Sequence, residues 1–126
     1  MLLFLVCGSQ LSHGEKLKCK FINVHYNTGL LYSCFVTSLV NPHNNLKIDR
    51  YLGVHERNKN DADVKGILIR DTNTKYIPAN LGSLFNLIVL YMDNTQLVEI
   101  KAKDFHGMQD LKEISFVHNK LCIVHV

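Results

Sequence analysis

The sequence predicts an α/β solenoid with a short parallel sheet, opened at its N-terminal end by a β-hairpin cap. Three observations carry this expectation. Apolar residues recur at spacings of 23 and 24 in the second half, from Val64 to Leu87 to Leu111. Two strand-like segments in the first half each carry one cysteine, Cys19 and Cys34. An apolar run precedes both at the N-terminus. At 126 residues with 47% hydrophobic content, the chain has enough apolar material for one packed domain and is no disordered tail. The net charge of +3 is mild and its Lys and Arg residues are scattered, so no basic run argues for nucleic acid or heparin.

Residues 1–14 read as a signal peptide. Met1 to Cys7 is apolar, and Gly8-Ser9-Gln10 and Ser12-His13-Gly14 supply the small and polar residues of a cleavage region. This run is far shorter than the roughly 20 residues that span a bilayer, so no membrane insertion is expected. Cleavage between Ser9 and Gly14 removes Cys7 and leaves Cys19, Cys34 and Cys122.

Residues 15–63 read as the cap and a link. Leu17 to Val24 and Leu31 to Leu39 are rich in β-branched and aromatic residues, and the turn-like Tyr26-Asn27-Thr28-Gly29 lies between them. A hairpin of this kind brings Cys19 and Cys34 together. In an exported protein a bridge there closes a loop of about 16 residues and stabilises by roughly 3 kcal/mol; in an intracellular one both remain reduced core thiols. Cys122 is left odd, which implies a partner cysteine elsewhere or a buried thiol. Asn41 to Asn45 reads as a turn, Leu46 to Leu52 as a further extended piece, and Gly53 to Val64 as a polar link.

Residues 64–126 divide into units at 64–86, 87–110 and an incomplete 111–126. Offsets 1, 4 and 6 of the three units hold Val64, Ile67 and Ile69; Leu87, Leu90 and Met92; and Leu111, Ile114 and Phe116. Offsets 4 and 6 are alternate residues of a short strand and share one face. Offset 9 holds Thr72, Thr95 and Asn119, where an amide bonds the backbone of the turn leaving the strand, and a hydroxyl does so less completely. Offsets 11 and 14, with Thr74, Leu97 and Leu121 and then Ile77, Ile100 and Val124, turn the chain back over the core. Such units cannot bury an apolar face alone and must stack.

The pattern resembles the leucine-rich-repeat family, LxxLxLxxNxLxxIPxxxFxxLxx, most clearly in LIVLYMDNTQLVEIKAKDFHGMQDL. With the cysteine-flanked hairpin and the link, the chain is similar to secreted leucine-rich-repeat proteins of insects. Departures are Thr for Asn at Thr72 and Thr95, Thr74 in place of Leu, and two cap cysteines where many such caps carry four. The resemblance implies a non-enzymatic extracellular module that recognises a protein or microbial surface ligand, possessing a role of the innate-immune type. The alternatives are the ectodomain end of a transmembrane receptor or adhesion protein, and an intracellular repeat scaffold. Because the last unit is incomplete, the sequence also suggests a fragment of a longer array, or a partner covering its open end.

On the strands of such an array, the residues between the core offsets point to the concave face. The candidate ligand contacts are Leu68, Tyr91 and Ser115 at offset 5, Arg70, Asp93 and Val117 at offset 7, and Asp71, Asn94 and His118 at offset 8. A tyrosine among charged neighbours is a common binding anchor. His118, Cys122 and His125 have metal-like spacing but occupy different parts of the unit, and Asp61 with Asp63 lacks the further oxygens of a calcium loop, so no metal site is expected. Nucleophile elbows, phosphate-cradling glycine loops and HExxH are missing, and no cofactor is expected.

Overall fold

The computed structural model describes residues 15–37, 40–41 and 48–124. Strands β1 (Glu15–Lys18), β2 (Lys20–Tyr26), β3 (Gly29–Val36), β4 (Val40–Asn41) and β5 (Ile48–Leu52) come from the first half. They are followed by β6 (Gly66–Arg70), β7 (Asn73–Thr74), β8 (Val89–Asp93), β9 (Glu99–Ile100), β10 (Glu113–Ser115) and β11 (Ile123–Val124). Among the described residues, helical structure is limited to the four-residue α1 (Leu81–Leu84) and 3-10 turns at Asp61–Asp63 and Ala102–Phe105. The signal-peptide reading of residues 1–14, His125 and most of the Asn41–Asn45 turn lie outside the described residues.

Five strands form one mixed sheet in the order β10-β8-β6-β3-β2. Strands β2 and β3 are an antiparallel hairpin with Phe21 opposite Cys34 and Tyr26 opposite Gly29. Strand β3 then pairs parallel with β6, β6 with β8, and β8 with β10. Separate two-stranded ladders join β1 to β5, β4 to β7 and β9 to β11. The spacing of 23 and 24 residues reappears as register, with Gly66 beside Val89 and Val89 beside Glu113.

This architecture corrects the expected leucine-rich-repeat solenoid of α/β class. The chain is a small, mostly β domain built on a mixed sheet. The segments that return the chain between β6, β8 and β10 are taken up by the short strands β7 and β9 and by turns, and form no helix long enough to cover a sheet. One of them yields a single helical turn around Gly82, far below the length at which a helix holds itself, and the other a 3-10 turn. The hairpin belongs to the same sheet, because β3 hydrogen-bonds directly to β6 and makes the sheet mixed.

Alternation along the strands explains the core. Cys34, Ile67 and Leu90 occupy one cross-strand row, and Val36, Ile69 and Met92 another, all of them fully buried. Behind them pack Leu17, Val64, Ile77, Leu81, Phe85, Leu87, Leu97 and Ile100. Every core offset of the first two units is thus buried. In the third, Ile114 is 50% and Leu121 37% exposed, because β10 is the edge of the sheet among the described residues and its inward row meets no further layer.

The expected bridge between Cys19 and Cys34 is present and ties β3 to the residue joining β1 and β2. Cys122 is free and exposed. Close approaches demand glycine at Gly53 and Gly66, as at Gly82. A Cβ at Gly66 would lie 2.6 Å from Ser33 Oγ and 2.7 Å from Tyr26 Oη, and one at Gly53 would lie 2.3 Å from the Cys19 carbonyl oxygen.

Asn119 does what its offset requires. Its Nδ2 donates to the Met92 carbonyl at 2.7 Å, while Oδ1 accepts from the Thr95 and Leu97 amides at 2.8 and 3.1 Å and from Thr95 Oγ1 at 3.1 Å. One amide therefore pins the turn that follows β8. Replacing Asn119 by Ala leaves these groups without partners and is expected to lower unfolding free energy by about 2 to 3 kcal/mol. Removing the bridge as Cys19→Ala with Cys34→Ala should cost about 3 kcal/mol. Urea midpoints check both, with exposed Lys112→Ala as a control expected to stay within about 0.5 kcal/mol.

Candidate binding surface

The face of the sheet opposite the core begins with Ser33, Gly66, Val89 and Glu113 in one row and Phe35, Leu68, Tyr91 and Ser115 in the next. Arg70 and Asp93 pair one step further along β6 and β8. The nine predicted contact residues separate here into two groups with different environments.

The first group is covered. Leu68 is 8% exposed, and Tyr91 is half-buried under Tyr26, whose ring meets it edge-on at 5.0 Å. The glycine at 66 leaves room for the Tyr26 ring, which donates from its hydroxyl to Ser33 Oγ at 2.8 Å. The hairpin tip folds over the face as far as β10. There the Glu113 carboxylate accepts the Thr28 and Asn27 amides at 2.8 and 3.2 Å and the Tyr91 hydroxyl as well. The Tyr91 bond holds the Glu113 carboxyl below its ordinary range; burial opposes it as the next largest effect, and the Thr28 and Asn27 amides each add a smaller lowering. The same bond pushes Tyr91 up to about 12.

The second group is open. Arg70, Asp71, Asp93, Asn94, Val117 and His118 line a depression at the carboxyl ends of the parallel strands. Asp71, Asn94 and His118 have φ values of 56°, 54° and 55°, so each strand leaves the sheet through a left-handed residue. Asn, Asp and His tolerate that conformation better than most residues, which is a backbone reason for their presence. Their side chains also lock the ledge: Asn94 Nδ2 donates to Asp71 Oδ1 at 2.9 Å, and Asp93 Oδ1 accepts from Ser115 Oγ at 2.8 Å and the Val117 amide at 3.0 Å. Arg70 stands over the Phe35 ring at 5.1 Å, and Val117 is 51% exposed. The ledge therefore offers a cation, carboxylate and amide groups already held in place, an imidazole, and an apolar side chain. Such a set suits a polar or protein surface and carries no nucleophile.

A second polar cluster lies in the link. His55 Nε2 donates to Asp61 Oδ1 at 2.9 Å, and its Nδ1 accepts from the Tyr32 hydroxyl at 3.0 Å. Tyr51 donates to the same Asp61 oxygen at 2.7 Å, and Phe21 stacks on the imidazole at 4.0 Å. The bonds from His55 and then Tyr51 hold the Asp61 carboxyl down, and Asp61 in turn pushes Tyr51 up to about 12. Both ring nitrogens of His55 are engaged inside the protein. The cluster is a clasp between the hairpin and the link.

Asp63 accepts the Asn60 amide at 2.7 Å and serves the 3-10 turn. Among the described residues no group of three His, Cys, Asp or Glu side chains could hold a metal. Sequence reasoning missed Glu113 and the hairpin tip, because 85 and 86 residues separate Glu113 from Thr28 and Asn27 and no local pattern joins them.

A depressed carboxyl contributes stability that is complete above the ordinary glutamate range and is lost as pH falls through the folded-state value. The Asn27 and Thr28 amide resonances are expected to hold steady from neutral pH down to the ordinary value of about 4.3, then shift together at lower pH. In Glu113→Gln this step should vanish. A titration step that persists in the variant would place the responsible carboxyl elsewhere.

The chain matches no known protein-family model, no curated protein and no solved structure.

Proposed function

We propose that this protein is a non-enzymatic extracellular recognition module whose contact surface is the ledge of Arg70, Asp93, Asn94, Val117 and His118. One observation carries the reading: three successive strands deliver side chains of different chemistry to one open depression, and internal hydrogen bonds hold several of them before any ligand arrives. Preorganised groups lose less freedom on binding. The ligand class is a protein or a microbial surface component.

The Cys19–Cys34 bridge supports an oxidising compartment and weighs against an intracellular scaffold. Among the described residues no helix is long and apolar enough to cross a membrane. Export and the leader at residues 1–14 belong to the same proposal, as does a role in recognising microbes.

Expression of the full chain in a secretory host should deliver it to the medium with Cys19 and Cys34 oxidised. Purified protein would then be screened against arrayed extracellular proteins and whole bacterial and yeast cells. A specific ligand should lose about tenfold or more in affinity on Arg70→Ala combined with His118→Asn, which keeps a residue tolerant of positive φ. His106→Ala, away from the ledge, should change it by less than about twofold. Retention of the chain inside the cell, or binding indifferent to the ledge pair, overturns the reading.

A further inference from the structure

Lys75 and Lys120 are 45 positions apart in the chain and belong to no basic run, yet they line one open groove beside the ledge. Backbone bonds explain the convergence. The Val98 amide donates to the Lys75 carbonyl and the Lys120 amide to the Leu97 carbonyl, both at 2.9 Å, so the two lysines sit on the layers flanking the segment from Gln96 to Val98. With neighbouring layers about 4.8 Å apart, their backbones are separated by about 10 Å, within reach of a single chain segment laid across them. The groove is also lined by Thr72, Asn73 and Tyr76 on the Lys75 layer and by Gln96 and Val98 on the middle one. Among the described residues lining it, none is acidic. Of the two carboxylates next in sequence to lining residues, Glu99 faces the Lys101 ammonium at 3.7 Å and Asp71 accepts from Asn94 Nδ2 at 2.9 Å on the ledge.

We infer that this groove binds a sulfated polysaccharide, the two ammonium groups taking successive sulfates and the amides and hydroxyl taking the sugar hydroxyls. A concave groove that carries two cations and no acidic lining residue suits an extended anionic chain. A phospholipid surface is the poorer fit: the groove's one aliphatic lining residue, Val98, and its one aromatic, Tyr76, are both half-buried, which leaves little apolar surface to insert into a bilayer. The inference is independent of the ledge and stands whether or not the ledge binds a protein.

The test is retention of the full chain on immobilised heparin over a NaCl gradient, with affinity measured near 0.15 M salt. Lys75→Ser with Lys120→Ser should lower that affinity about tenfold or more and reduce the slope of log affinity against log salt by about two. Lys18→Ser with Lys112→Ser removes the same charge at exposed positions outside the groove and should change affinity by less than about twofold. Desulfated polymer should not compete. Circular dichroism matching the wild type keeps a loss in the groove pair attributable to binding. Equal shifts in both pairs would reduce the effect to net charge. That outcome, failure of the wild type to bind heparin, or tighter binding to phosphatidylserine vesicles than to heparin, overturns the assignment.

Discussion

The fold depends on β3 pairing on both of its edges. On one side it is antiparallel to β2, closed by a tight turn and tied by the Cys19–Cys34 bridge to the residue that precedes β2. On the other it is parallel to β6, and through β6 the register passes to β8 and β10. A strand that pairs on one edge only would leave the other as an open row of backbone groups. Here that edge is the foundation for the periodic half. Cys34 and Val36 continue the buried rows of Ile67 and Ile69, so the hairpin and the periodic strands share one core.

The same arrangement divides the outer face of the sheet. Because β3 is joined to β2 at the amino ends of the parallel strands, the hairpin tip reaches back over Gly66 and Val89 and stops at Glu113. Tyr26, Tyr91 and Glu113 form one connected unit, with burial raising the Tyr26 hydroxyl and Glu113 raising that of Tyr91. The carboxyl ends of the strands stay uncovered. The Arg70 to His118 ledge is accessible because the hairpin is long enough to cover one half of this face and not the other.

Several roles were legible from residue types alone. Alternating apolar residues placed Ile67, Ile69, Leu90 and Met92 in the core, since their spacing puts them on one side of a strand whatever the strand pairs with. Asn119 was legible as a backbone-binding amide, and its bonds to Met92, Thr95 and Leu97 follow from having a donor and an acceptor on one short side chain. The fold class was not. Apolar spacing reports that strands return at a fixed interval, but not what fills the return. Of the two connections between β6, β8 and β10, one holds the single turn of α1, which buries only Leu81 in the core, and the other a 3-10 turn.

The sequence by itself determined the strand period, the inward rows of the first two units, the hairpin turn at Asn27 and Thr28, and the partners in the disulfide. All of these rest on local spacing, which a chain carries before it folds. Only the tertiary structure decided that the hairpin joins the periodic strands in one mixed sheet, that Leu68 is buried while Val117 is not, and that Glu113 clasps a loop 85 residues away. It likewise brought Lys75 and Lys120 into one groove. These outcomes depend on which strand edges meet, and edge pairing is made by backbone groups that every residue shares, so side-chain spacing leaves little trace of it.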